Sequence, residues 1–82
     1  MNRGYLLGYV VNEVKYDFIL NGKNDAIAIF SIRLSNNSVI YVISYNKNAD
    51  FCYRRLKVGD KIFVVGSFNS KFQIISDCVY VV

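Results

Sequence analysis

Apolar residues recur at every second position through much of this chain. Across residues 26–34 the alternation is strict: Ala26, Ala28, Phe30, Ile32 and Leu34 fall on one side, Ser31 and Arg33 on the other, the period of a half-buried strand. Residues 5–11 form an apolar, β-rich run, and residues 38–45, 61–68 and 72–82 complete a set of five strands. Asn36 and Asn37 tolerate the positive φ of a tight hairpin, so the second and third strands are predicted to run antiparallel. Asn69, Ser70 and Lys71 form a second short polar connection, between the fourth and fifth strands. Residues 13–25 are less regular. With Tyr16, Phe18 and Ile19 ahead of the turn signal Asn21 and Gly22, they read as the first strand continuing into a hairpin-like excursion toward the second.

The period changes once. Ala49, Cys52, Tyr53 and Leu56 stand at i, i+3, i+4 and i+7, the stripe of a short amphipathic helix. Asn48 is the expected N-cap. Asp50 in the first turn and Arg54, Arg55 and Lys57 near the end complement the helix dipole, and Gly59 supplies a stop. Three strands, a helix and two strands in 82 residues predict an all-β domain spanning 1–82. Its architecture is expected to be a five-stranded OB-fold Greek-key barrel with one short helix between strands 3 and 4.

Composition narrows the class further. Hydrophobic residues make up 54% and Pro is absent, which excludes a disordered chain. The longest apolar runs, residues 62–65 and 78–82, fall far short of the roughly 20 residues of a spanning helix. No signal-peptide pattern opens the chain, so a cytoplasmic protein with no membrane association is expected. There is no His, and Cys52 and Cys78 lie far apart without a partner at zinc-ligand spacing. Both cysteines are expected to be small core fillers. The acidic residues are scattered and the five glycines never cluster as a phosphate loop. No metal, cofactor or enzyme activity is therefore expected.

Ten Lys and Arg against six Asp and Glu give a net charge of +4, which favours polyanions and equally serves solubility. Pattern adds more. On the third strand Val39, Tyr41, Ile43 and Tyr45 share a face, next to Arg33 of the second. Rings that stack on bases beside a guanidinium that meets phosphate are what a single nucleic-acid strand uses. The alternative is that Tyr41 and Tyr45 cap the barrel or fill a dimer interface. Phe63, beside Val65 on the fourth strand, suits either stacking or a subunit interface. Phe68 and Phe72 bracket a turn holding Lys71, giving either a finger over a bound strand or two rings that stabilise the hairpin. Lys47 and Arg3 are further phosphate candidates, whereas Arg54, Arg55 and Lys57 read as a solvated face.

These residues resemble the OB domain of bacterial single-stranded DNA-binding proteins, including the primosomal replication protein, over nearly the whole chain. Met1, Asn2, Leu7 and Gly8 resemble that family's opening strand, Glu13 stands where an Asp is usual, and Gly22 matches its turn glycine. Phe30, Ser31, Ile32 and Leu34 resemble a Phe-Ser-Leu-x-Val strand. Tyr45, Lys47, Ala49 and Asp50 resemble the Trp-x-Lys-x-Ala-Glu segment, the most specific match. Leu56, Gly59, Asp60, Ile62, Val64 and Gly66 resemble Leu-x-x-Gly-Asp-x-Val-x-Val-x-Gly, and Ser76, Asp77 and Val79 fit the closing strand.

The resemblance implies stacking at Tyr45 and strand contact at Tyr41. Val39 stands where some members carry a stacking Trp, Tyr9 replaces a usual Arg, and the loops between strands two and three and between four and five are short. Neither the family's glycine-rich linker nor its acidic tail is expected after Val82. The implied function is binding of single-stranded DNA with little sequence preference, in replication, recombination or repair, by a homodimer or homotetramer built on exposed strand edges. The alternative is a structural or protein-interaction OB module without DNA binding of its own. No reader of a 2′-hydroxyl separates DNA from RNA.

Overall fold

One row of side chains on each strand turns inward, and these rows meet in a single core. In the computed structural model the described residues are 2–19 and 25–82. They form β1 (Asn2–Val10), β2 (Lys15–Ile19), β3 (Asp25–Arg33), β4 (Val39–Tyr45), α1 (Asn46–Arg55), β5 (Lys61–Phe68) and β6 (Gln73–Val81). The turn signal Asn21–Gly22 lies outside the described residues.

The strands hydrogen-bond in the order β1-β5-β6-β4-β3-β2, and a further β1–β3 pairing closes the sheet on itself. Among the described residues only β4 and β6 pair in parallel; the other pairings are antiparallel. β1 and β2 are two halves of one long strand, because both run antiparallel to β3. Val10 lies opposite Ile32 and Lys15 opposite Ile29, so four residues of the first strand face two of β3. Asn12 repairs the gap in the ladder: its Oδ1 accepts from Ser31 N at 2.8 Å and its Nδ2 donates to Ser31 Oγ at 3.3 Å. Counted this way the barrel has five strands with the helix between the third and fourth, the OB fold predicted from element order.

Val10, Phe30, Ile32, Val42, Ile62, Val64 and Ile74 fill the interior, and Ala49, Cys52 and Leu56 of the helix segment plug its lower end. Burying Leu56 alone contributes about 2 kcal/mol. Ser44 and Ser76 are also buried, and their hydroxyls meet at 2.6 Å, with Cys52 Sγ at 3.5 Å from Ser44 Oγ. Burial pushes the Cys52 thiol pKa up, so it remains a protonated core residue. Cys78 is not a core filler: an extra residue in β6, Asp77, shifts the register so that Cys78 faces outward and is exposed.

The helix begins earlier than its apolar stripe implies. Tyr45 is the N-cap, without a side-chain capping bond, and Asn46 takes φ 55°. That left-handed residue, whose Oδ1 accepts from Ala26 N at 3.1 Å, turns β4 straight into α1 without a loop. Asn48 therefore lies inside the helix and caps nothing; its amide donates to Asp77 O at 2.7 Å. Asp50 falls beyond the first turn, which carries no acidic residue. Tyr53 leaves the buried stripe and stacks on Tyr16 of β2, ring centroids 4.8 Å apart. Arg54 and Arg55 occupy the last turn as predicted. The first hairpin turn also forms as predicted, with Asn37 at φ 68°.

Two close approaches require glycine. A Cβ on Gly8 would stand 2.7 Å from Arg33 O, where β1 crosses to reach β3. A Cβ on Gly66 would overlap the Ile75 carbonyl beside the β6 bulge. Gly66→Ala is expected to lose about 3 kcal/mol of unfolding free energy through this overpacking. Ser70→Ala, in the exposed turn, should change it by less than about 0.5 kcal/mol. Urea denaturation of both variants checks the contrast.

Candidate nucleic-acid interface

Register places the outward residues of four strands in rows. Ser31 lies opposite Tyr41, which lies opposite Gln73; Ile29 lies opposite Ile43, which lies opposite Ile75. Ile27 pairs with Tyr45, and Arg33 sits between Tyr9 and Val39. Tyr41 and Tyr45 are four residues apart on one face, roughly 13 Å at strand rise, with Ile43 between them. They are 51% and 40% exposed, so they neither fill the interior nor cap it. Arg33 is exposed diagonally across from Tyr41. Between the tyrosines the face has an isoleucine floor, of which Ile27, Ile43 and Ile75 are half-buried.

Each end of this face carries a cation. At the Tyr41 end the β5–β6 turn follows Gln73's row. Asn69 Oδ1 accepts from Lys71 N at 2.9 Å, and Asn69 Nδ2 donates to Gln73 Oε1 at 2.8 Å. This holds the turn with Phe72 at φ 57° and 82% exposed, beside exposed Lys71. At the Tyr45 end, Lys47 is exposed in the first turn of α1. The face thus carries Tyr41, Tyr45 and Arg33, with Lys47 in the segment that leaves one end and Lys71 and Phe72 in the turn at the other.

Phe68 and Arg3 are not brought to it. Phe68 lies opposite Ile74, in the inward row that continues through Val42 to Phe30, and it packs against the core instead of standing beside Phe72. A two-ring hairpin tip therefore does not form. Arg3 is ion-paired to Asp77, where the β6 bulge turns that carboxylate outward. Sequence reasoning found Ile43 on this face but missed Gln73 and the other isoleucines of the floor, Ile27, Ile29 and Ile75. The signal that finds Gln73 and Ile75 is the parallel β4–β6 pairing, which no local pattern carries, whereas Ile27 and Ile29 follow from alternation along β3.

A second outward face gathers Tyr5, Leu7 and Tyr9 of β1, Phe63 and Val65 of β5, and Cys78 and Tyr80 of β6. Tyr5 and Phe63 have ring centroids 5.3 Å apart, Phe63 and Tyr80 6.2 Å. Lys61 Nζ lies 6.0 Å from the centre of the Tyr9 ring. The neighbouring Cys78 raises the Tyr80 pKa.

The fold and face define an OB-fold domain, and comparison with solved structures agrees. The SSB domain of a protein from Synechococcus sp. superposes with TM-score 0.85 at 16% identity, covering 98% of this chain and 94% of that one. The wild-type single-stranded DNA binding protein from Thermus aquaticus superposes with TM-score 0.86 at 16% identity over 100% of this chain. This chain spans 40% of the Thermus aquaticus protein's length. A deletion mutant of the Thermus aquaticus protein gives TM-score 0.85 at 16% identity, covering 100% of this chain and 41% of that one. No protein-family model matches the sequence, and no curated protein matches it. At this identity the likeness establishes the fold.

The Tyr16 hydroxyl donates to Asp50 Oδ1, tying β2 to α1. That hydrogen bond, then desolvation and the carboxylate's charge, raise the Tyr16 pKa above the ordinary value near 10. The folded pKa is the higher one, so this stabilisation is complete below the unfolded value and is lost as pH rises through the folded value. In an alkaline absorbance titration, Tyr16 is expected to ionise late, and Asp50→Ala to remove the lag.

Proposed function

We propose that this domain binds single-stranded DNA with little sequence preference, in the cytoplasm, during replication, recombination or repair. Bases stack on Tyr41, Tyr45 and Phe72 while Arg33, Lys47 and Lys71 hold phosphates. The observation that carries this reading is the pair of half-exposed tyrosines on one open face with a cation at each end. Likeness to the SSB domain and to single-stranded DNA binding proteins supports it. Sequence tolerance follows because every base offers a π-face, and each stack contributes about 1–3 kcal/mol. Stacking and phosphate contacts do not distinguish the sugar, so RNA is expected to compete.

Tyrosine fluorescence titrated with oligo-dT should show binding at low salt, with a slope of log K against log salt near −2 for three phosphate contacts. Tyr45→Ala should weaken binding about ten- to a hundredfold. Absence of low-salt binding, or indifference to Tyr45→Ala, rejects the assignment. The isoleucine floor favours a second reading, a protein partner laid on the same face without DNA binding. A protein retained from nuclease-treated lysate by the wild type and lost by Ile43→Glu, with no oligo-dT binding, would select it.

The domain is also proposed to work as a homodimer or homotetramer. β1 meets β3 only at Tyr9 and Val10, so its edge from Asn2 to Gly8 opposite β5 has no partner strand among the described residues. The adjoining face of Tyr5, Leu7, Phe63 and Tyr80 is apolar enough to bury. Light scattering should give a multiple of the 9.4 kDa chain mass, and Leu7→Glu should reduce it toward one chain. A monomeric wild type at high concentration overturns this.

A further inference from the structure

The outer surface of α1 carries an open cavity of about 370 Å³ lined by Lys47, Asp50, Phe51, Arg54 and Arg55. Three positive charges there face one negative. The Asp50 carboxylate accepts the Tyr16 hydroxyl, toward β2. Among the described residues, none of Lys47, Arg54 and Arg55 forms an ion pair, whereas Arg3 does. The Phe51 ring is half-buried, and the Arg55 guanidinium lies 6.0 Å from its centre, a geometry that holds the guanidinium along the helix. Sequence reading assigns the arginines to a solvated surface; they are exposed, and the structure also sets them in line with Lys47, which itself follows Tyr45 by two residues. On a helix, positions 47, 51, 54 and 55 share one side, and Lys47 to Arg54 spans about 10 Å.

We propose that a single strand leaving the β3–β4 face past Tyr45 continues over α1, its phosphates held by Lys47, Arg54 and Arg55. This rests on the single-strand reading of the face and extends its site around the lower end of the barrel. With short turns between β3 and β4 and between β5 and β6, the helix surface supplies contact length that long loops would otherwise provide. Asp50 repels the backbone at one edge of the cavity and so directs the strand toward the Phe51 and Arg55 side.

The test compares oligo-dT of about four nucleotides, enough for the sheet face, with one of about twelve. Arg54→Gln combined with Arg55→Gln should leave the short oligonucleotide's affinity unchanged. For the long one, it should reduce the magnitude of the salt slope by about 1.4, two contacts at roughly 0.7 each. Lys57→Gln removes a nearby charge from outside the cavity and should leave both slopes unchanged. Because both arginines are exposed, the thermal midpoint should hold, confirming that the variant is folded. An unchanged long-oligonucleotide slope, or an equal loss for both lengths, overturns the helix path while leaving the face intact. Failure of the wild type to bind either length overturns both.

Discussion

The structure depends on closing a six-segment sheet into a barrel, and closure is limited by how near two backbones can come. β1 must leave β5 and reach β3, which brings Gly8 against the Arg33 carbonyl. β6 must bend between β5 and β4, which brings Gly66 against the Ile75 carbonyl and inserts Asp77 as a bulge. A side chain at either glycine would force the strands apart by more than packing can absorb. Once those crossings are made, the parallel β4–β6 pairing follows, and every other residue on each strand is committed to core or surface.

That commitment creates the two outward faces. Ser44 and Ser76, the polar residues of the inward rows of β4 and β6, satisfy each other and Cys52 across the barrel, so the parallel seam carries a buried hydrogen-bonded link as well as a ladder. Its outer side bears Tyr41, Ile43 and Ile75. The bulge at Asp77 has three consequences. It turns Cys78 outward, frees a carboxylate for Arg3, and presents a carbonyl to Asn48 of the helix. One extra residue therefore sets both the second face and the seating of α1.

Strand positions, the hairpin at Asn36 and Asn37, and the helix between the third and fourth strands were legible because they rest on local periodicity and turn chemistry. The tyrosine face was legible for the same reason: alternation along β4 alone assigns Tyr41 and Tyr45 outward. The misplacements share another cause. Phe68 resembles Phe72 in sequence, yet whether a ring at a strand end faces in or out depends on its cross-strand row, which ends at Phe30 on a strand far away in sequence. Cys78 follows a bulge that shifts parity, and no composition signals it. Asn48 reads as a cap until Asn46, in a left-handed conformation stabilised by Ala26 N, starts the helix early. Register and long-range hydrogen bonds decided each case.

Magnitudes then connect the two faces. On the proposed reading, three stacked rings offer roughly 3–9 kcal/mol gross. Immobilising a flexible strand on the face opposes this with a cost of similar size, about 4–15 kcal/mol for association. One barrel with short turns would therefore, on that reading, bind weakly by itself. Two or four barrels joined through β1 and its apolar face would present their tyrosine faces to one continuous strand. Each binding event after the first then becomes intramolecular, at an effective concentration of about millimolar. On the proposed reading, the apolar face on β1, β5 and β6 and the aromatic face on β3 and β4 would be parts of one device. Assembly on one side of the barrel would then make modest stacking on the other sufficient.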